Sequence, residues 1–245
     1  MADGIYVMRL ESPEIARAAR PAHFVNVQTD DGLSPFLRRP LSILNTDVEA
    51  GWIEIYYDVI GPGTERLETA VAGESLDLIG PLGTAFEPPT PHTLLVGGGV
   101  GIVPLAFLAW HSPNERNAMT LLFGAATERR MPDLARIAPG DLKTILATDD
   151  GSVAHHGFIT ELIEQHLQKE TTILTCGPHS MMARVAEVAE ASGVGCYASL
   201  ENHMACGFGA CVGCVVEYKD HERDDRRYRR VCIEGPVVNG HEIVW

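Results

Sequence analysis
Four cysteines near the carboxyl end carry the clearest chemistry. Cys206, Cys211 and Cys214 follow one another with four and two residues between them, and seventeen residues separate Cys214 from Cys232. This C-x4-C-x2-C…C arrangement is the plant-type spacing that holds a [2Fe–2S] cluster. The sulfurs of a cluster carry net negative charge, so the loop must wrap closely and turn backbone N–H groups toward them. Gly207, Gly209, Ala210 and Gly213 have little or no side chain to obstruct that approach. Zinc is the competing metal, but it usually recruits two short-spaced pairs of ligands, and Cys232 has no cysteine or histidine beside it. Cys176 and Cys196 stand apart from the group.

Three other segments suit a redox cofactor. Leu94, Leu95 and Val96 lead into Gly97, Gly98, Gly99, Val100 and Gly101, and an apolar run follows from Ile102. Strand, glycine turn and helix in that order let a pyrophosphate approach the backbone and meet helix N-terminal amides. Pro104 stands where a G-x-G-x-x-G fingerprint has its last glycine, and such a turn alone serves tight packing equally well. A second turn, carrying Cys176, Gly177 and Pro178, follows another strand, at the carboxyl ends where open α/β sheets bind ligands. Taken singly, Cys176 is as good a small core filler. In the first third, Arg39, Pro40, Leu41 and Ser42 set a guanidinium and a hydroxyl on a stiff strand, fit for a flavin diphosphate and ring. By itself Arg39 reads as a surface ion-pair residue.

The elements that must position these groups fall into three stretches. Residues 1–88 read as short alternating strands with Gly/Pro turns, as in Ile53, Ile55, Tyr57 and Val59, and predict a small antiparallel β-barrel. One helix interrupts it, with Leu67, Ala70 and Val71 on one face and Gly73 as its stop. Residues 89–200 follow a proline-rich linker and contain five apolar strands, Leu94–Val96, Thr120–Phe123, Thr144–Ala147, Thr172–Leu174 and Cys196–Leu200. Helical patterns lie between them, such as Met181, Val185, Val188 and Ala189. That alternation predicts βαβ units and a parallel sheet. Residues 201–245 form a small cluster domain. The fold class is therefore multi-domain, β plus α/β.

Composition sets the outer bounds. With 245 residues, 45% hydrophobic and 21% charged, the chain can bury a core, and its net charge of −14 argues against nucleic acid or an anionic membrane surface as a partner. Thr93 to Trp110 lacks formal charge over a membrane-spanning length, but its glycines and Pro104 punctuate it into strand, turn and buried helix. No secretory signal precedes Ile5, and the expected compartment is the cytoplasm. His155 and His156 read as a solvated loop, having no ligand companions. Glu217 to Arg230, with six basic and five acidic residues, reads as a charged hairpin between cluster ligands.

Taken in order, Arg39-Pro40-Leu41-Ser42, the Gly97–Gly101 turn, Cys176-Gly177-Pro178 and the four-cysteine tail resemble the ferredoxin–NADP+ reductase superfamily. Ser199 through Cys211 and Val231 through Val237 are similar, more narrowly, to electron-transfer subunits of NAD-dependent dihydroorotate dehydrogenase B. The resemblance implies FAD contacts from Arg39, Pro40, Leu41 and Ser42, from Tyr56, Tyr57 and Asp58, and from Gly63 and Thr64, which open a helix. It implies NAD contacts from Gly98, Gly99, Val100, Gly101, Cys176, Gly177 and Pro178, and cluster ligation by Cys206, Cys211, Cys214 and Cys232. It also implies a partner, the FMN-containing subunit that oxidises dihydroorotate to orotate in pyrimidine biosynthesis, in a heterotetramer of two copies of each chain. No acid–base pair or nucleophile is required of this chain, since the cofactors carry the chemistry.

Two departures accompany the resemblance. Few residues precede Ile5, so either the barrel closes incompletely or the start codon is placed late. Near the adenosine ribose, Glu128 suits the free hydroxyl of NAD, while Arg129 or Arg130 would suit the phosphate of NADP; the resemblance favours NAD. The alternatives are a small subunit of a sulfhydrogenase or of a ferredoxin–NADP oxidoreductase and, from another class, a zinc-stabilised nucleotide-binding interaction module.

Overall fold
The computed structural model describes residues 3–30, 32, 34–219 and 226–245. Strands β1 (Ile5–Glu11), β2 (Phe24–Val27), β3 (Arg39–Asp47), β4 (Trp52–Asp58) and β5 (Leu78–Leu82) form a five-stranded antiparallel sheet ordered β1-β4-β3-β2-β5. The alternation seen in the sequence fills its inner face. Val25, Val27, Ile43, Ile53, Ile55 and Tyr57 meet Ile15 of helix α1 (Pro13–Ala18) and Leu67 of helix α2 (Pro62–Glu68). β1 is a full seven-residue strand, paired with β4 from Ile5–Asp58 to Glu11–Trp52. Among the described residues β1 and β5 remain unpaired edges, and α1 lies against β4 and β5. α2 stops at Glu68, short of the expected Val71, which is 65% exposed. The Thr69 hydroxyl donates to the Arg66 carbonyl at 2.8 Å and takes an acceptor that another helical turn would have used.

The five strands expected in the middle of the chain are β6 (Thr93–Gly98), β7 (Met119–Ala125), β8 (Lys143–Thr148), β10 (Thr172–Cys176) and β11 (Gly195–Ser199), with parallel pairing throughout. Two unforeseen strands extend this sheet to seven. β9 (His155–His156) adds to β8, and β14 (Val237–Asn239) runs antiparallel to β11. The two histidines are thus an edge strand and not a loop, and His155 Nε2 lies 2.9 Å from Glu161 Oε2.

Helix α3 (Ile102–His111) is buried along its whole length from Ile102 to Ala109 because β6 and β10 lie on one side and β3 on the other. This explains the uninterrupted apolar run: the helix is sandwiched between the two sheets. No helix among the described residues is long and apolar enough to cross a membrane. Short helix α4 (Leu134–Ile137) follows β7, and α5 (His179–Ser192) buries Met182, Val185, Ala186, Val188 and Ala189.

The tail contributes the antiparallel pair β12 (Val215–Glu217) and β13 (Tyr228–Arg230) and helix α6 (Val231–Glu234); part of the stretch read as a charged hairpin, 220–225, lies outside the described residues. Its core is shared. Met204, Cys214, Tyr218, Val231 and Cys232 pack with Phe24 of β2 and with Met182, Ala198 and Leu200 of the nucleotide-side layer. Cluster loop, flavin-side sheet and nucleotide-side sheet therefore meet in one apolar contact, which fixes their spacing.

Candidate functional site
A cavity of about 590 Å³ lies between the first sheet, the turn after β6 and the segment after β11. Its volume suits an organic cofactor. All nine residues expected on the flavin side line it: Arg39, Pro40, Leu41 and Ser42 of β3, Tyr56, Tyr57 and Asp58 of β4, and Gly63 and Thr64 of α2. Antiparallel pairing of β3 with β4 brings the first two groups together. Gly63 is required sterically, since a Cβ there would fall 2.2 Å from Arg39 Nε. The guanidinium thus lies directly across the first turn of α2. The Thr64 hydroxyl accepts the Ile60 and Gly61 amides at 3.0 and 3.3 Å and donates to the Gly61 carbonyl at 3.1 Å. It shapes that turn.

The Tyr56 hydroxyl is buried with no partner. Burial, only partly offset by Arg130, pushes its pKa up to about 12, and burial does the same for Tyr57. Both phenols stay protonated near neutrality. Tyr56, with its orphaned phenol, and Arg39, with its guanidinium, both line the cavity, a donor set that fits the polar ring edge and diphosphate of a flavin. Asp58 is committed elsewhere, since its carboxylate pairs with Arg130 of the second layer. Buried Glu54, four residues earlier on β4, receives Arg9 at 2.8 Å and also Arg136 of α4. Two ion pairs from the stretch after β7 therefore fasten the layers on either side of Tyr56.

On the nucleotide side, Val100 and Cys176 reach the cavity wall, whereas Gly98, Gly99, Gly101, Gly177 and Pro178 are absent from it. The glycines divide between the two roles the sequence offered. A Cβ on Gly98 would lie 2.7 Å from Met181 Sδ, and one on Gly101 would lie 2.3 Å from the Cys176 carbonyl oxygen, so these serve packing. Gly99, with φ +56, faces open space. The two turns interlock at the carboxyl ends of adjacent parallel strands, where Gly97 and Cys176 are register partners. Burial pushes the Cys176 thiol well up, with the charge of Glu201 acting in the same direction against hydrogen bonds from Ser199 and Gly177. The thiol therefore stays neutral. Of the three candidates near the ribose, Arg130 is taken by Asp58 and by the Asp3 carbonyl at 2.8 Å, while Glu128 and Arg129 are exposed.

The third wall had no role assigned from sequence. Ser199, Leu200, Glu201, Asn202, His203 and Met204 line the cavity and lead straight to Cys206. The signal that could have found them is position, because they follow the last parallel strand at its carboxyl end. Glu201 is solvent-accessible but set into the wall, and the surrounding protein pushes its carboxyl up. Asn202 Nδ2 donates to the Val215 carbonyl at 3.2 Å and braces the segment.

The four cysteines lie together. Cys211 N–H donates to Cys206 Sγ and Cys232 N–H to Cys214 Sγ, each at 3.4 Å. Burial alone would raise the Cys206 thiol, but the N–H groups of Cys211, Phe208 and Ala210, together with the Cys211 side chain, outweigh it and bring the pKa down to about 6. Amides aimed at a sulfur stabilise its thiolate, the form that ligates iron. Among the described residues no three His, Cys, Asp or Glu groups converge on a single-ion site. Four thiol groups in two hydrogen-bonded pairs are the kind of donor set that a two-iron cluster would take.

Residues 201–244 match the iron–sulfur cluster binding domain of dihydroorotate dehydrogenase B, which stands against the zinc alternative, and residues 95–187 match the oxidoreductase NAD-binding domain. The chain is 34% identical over 249 residues to the dihydroorotate dehydrogenase B (NAD(+)) electron transfer subunit of Desulforamulus reducens, covering 100% of this chain and 94% of that one. The Geobacillus thermodenitrificans subunit of the same name is 35% identical over 248 residues with the same coverage. In structure, the chain superposes on the NADH-dependent reduced ferredoxin-NADP oxidoreductase with TM-score 0.86 and 28% identity, covering 100% of this chain and 86% of that one. The ferredoxin reductase of carbazole 1,9a-dioxygenase shares the fold at TM-score 0.67, 24% identity, 79% of this chain and 62% of that one. Full-length identity to these subunits, with a matching cluster domain, makes this chain a member of the dihydroorotate dehydrogenase B (NAD(+)) electron-transfer-subunit family.

Proposed function
We propose that this chain carries electrons between NAD(H) and an FMN-containing partner that oxidises dihydroorotate to orotate, within a cytoplasmic assembly of two copies of each chain. The observation that carries the reading is the shared wall: Ser199–Met204 lines the cavity and runs directly into Cys206. Bound FAD would supply hydride exchange with nicotinamide and single-electron exchange with the cluster. Arg39 holds the flavin diphosphate across Gly63, and Tyr56 donates its unpartnered hydroxyl. Pro40, Leu41, Ser42 and Tyr57 enclose the ring, and Val100 with the neutral Cys176 thiol forms a face free of charge against which nicotinamide can lie. Cys206, Cys211, Cys214 and Cys232 hold the irons while loop amides offset the negative charge on sulfur. Arg130 is occupied while Glu128 and Arg129 are both exposed, and the NAD(+)-dependent relatives support NAD over NADP.

The partner would meet the cluster face, where Phe208, Val212 and Ile233 are 52%, 57% and 40% exposed around the exposed Cys211. A subunit of a reduced-ferredoxin–NADP oxidoreductase is the second reading, favoured by the 0.86 TM-score to such a structure. Reconstitution separates the two. The chain alone should pass electrons from NADH to a dye but leave dihydroorotate untouched, and adding the FMN subunit should produce NADH from dihydroorotate and NAD+. Oxidation of dihydroorotate by the isolated chain, or no coupling with the partner, would defeat the proposal.

A further inference from the structure
We infer that Asn26 is a positioning residue that pins the first cluster cysteine to the flavin-side sheet; the inference rests on the cluster and flavin assignments proposed above. β2 is buried on both faces. Val25 and Val27 point into the first sheet's own core, while Phe24, on the other face, joins the core around Cys214 and Cys232. Asn26 shares Phe24's side of the strand and is 0% exposed. Its Nδ2 donates to the Cys206 carbonyl at 3.0 Å, and its Oδ1 is buried with no partner. Directly opposite, its register partner is Pro40, which lines the cavity. The contact also constrains the loop. Gly207, at φ +79, would place a Cβ 2.6 Å from Asn26 Nδ2.

A leucine would fill this place with similar volume but leave the Cys206 carbonyl without its donor, so the amide serves that one contact even though its own Oδ1 has no partner. Asn26, on the strand beside Pro40, ties that strand to the residue that holds iron, and electron transfer falls steeply with distance. This hydrogen bond therefore holds the Cys206 end of the loop in place within the spacing that the shared apolar core fixes.

The test compares the FAD- and iron-loaded full chain with Asn26→Leu, Gly207→Ala and, as a stability control in the first sheet's core, Ile53→Val. Asn26→Leu should still bind FAD and iron but broaden the EPR lines of the dithionite-reduced cluster and release iron to a chelator about tenfold faster, the scale of one lost hydrogen bond. Gly207→Ala, which attacks the same contact from the other side, should broaden the lines likewise, and Ile53→Val should leave lines and release rate unchanged. Wild-type lines and release rates in Asn26→Leu and Gly207→Ala, or the same changes in Ile53→Val, would overturn the inference while the cluster assignment stood. Iron-free wild-type protein would overturn the assignment itself, and the inference with it.

Discussion

Gly101 and Gly99 lie two residues apart in one turn and should respond oppositely to alanine. Gly101 has an ordinary φ of −65, so alanine costs it nothing in backbone strain. It has no room, however: the new Cβ would lie 2.3 Å from the Cys176 oxygen, 2.4 Å from its carbonyl carbon and 2.5 Å from the Gly177 nitrogen, all backbone atoms. Reaching ordinary contact requires the turn after β10 to retreat by about 1 Å. β6 and β10 are tied together up to Gly97 and Cys176, so the shift concentrates where nicotinamide would be placed. A misplacement of about 1 Å costs roughly 10²-fold in rate, and overpacking costs about 1–3 kcal/mol in stability. Gly99→Ala meets nothing within 4 Å and pays only for its φ of +56, about 1–2 kcal/mol with little effect on rate. Stopped-flow reduction of FAD-loaded protein by NADH, with melting curves for both variants, measures the contrast. Wild-type speed in Gly101→Ala, or a slower rate in Gly99→Ala than in Gly101→Ala, would refute the steric reasoning.

Three further outcomes follow from the same geometry. Arg39→Ala should weaken FAD binding by about 1.5–3 kcal/mol, the scale of a charged hydrogen bond, with iron content unchanged; fluorescence titration of released flavin measures it, and unaltered affinity would remove Arg39 from the site. Cys214→Ser should abolish the cluster's EPR signal while NADH-to-dye activity through FAD survives, and a variant with full iron content would remove Cys214 from the ligand set. Glu201 is solvent-accessible, but desolvation by the wall around it raises its carboxyl above the ordinary 4.5. A raised acid is most favourable below its unfolded pKa and loses stability as pH climbs through the folded value. Glu201→Gln should therefore melt above wild type near pH 8 and converge with it near pH 4, and a pH-independent gap in melting temperature would contradict the desolvation.

What could be read in advance was what neighbours in sequence determine. The cysteine spacing, the strand–glycine–helix passage at Leu94–Ile102 and the alternation in β4 are local, and each occupies the predicted place. The nine flavin-side residues converge on one cavity because β3, β4 and α2 follow one another closely in the chain. Contacts that span the chain were hidden. Asn26 meets Cys206 across 180 residues and Asp58 meets Arg130 across 72, so neither partner marks the other in the sequence. The antiparallel addition of β14 to β11 was obscured because its three residues carry no pattern of their own. Glu201 to Met204 carried the family resemblance but no cofactor role, since the cavity they line is closed by residues far away in the sequence. At Thr69 a single side-chain hydroxyl ended a helix that the apolar spacing would have continued.

Anaerobic preparation of the full chain, followed by FAD and iron assay and NADH titration watched by visible absorption and EPR, tests the central claim most directly. The account predicts about one FAD and about two irons per chain, with NADH bleaching the flavin and bringing up the EPR signal of a reduced [2Fe–2S] centre. Zinc in place of iron, or a cluster that stays EPR-silent while NADH reduces the flavin, would contradict it.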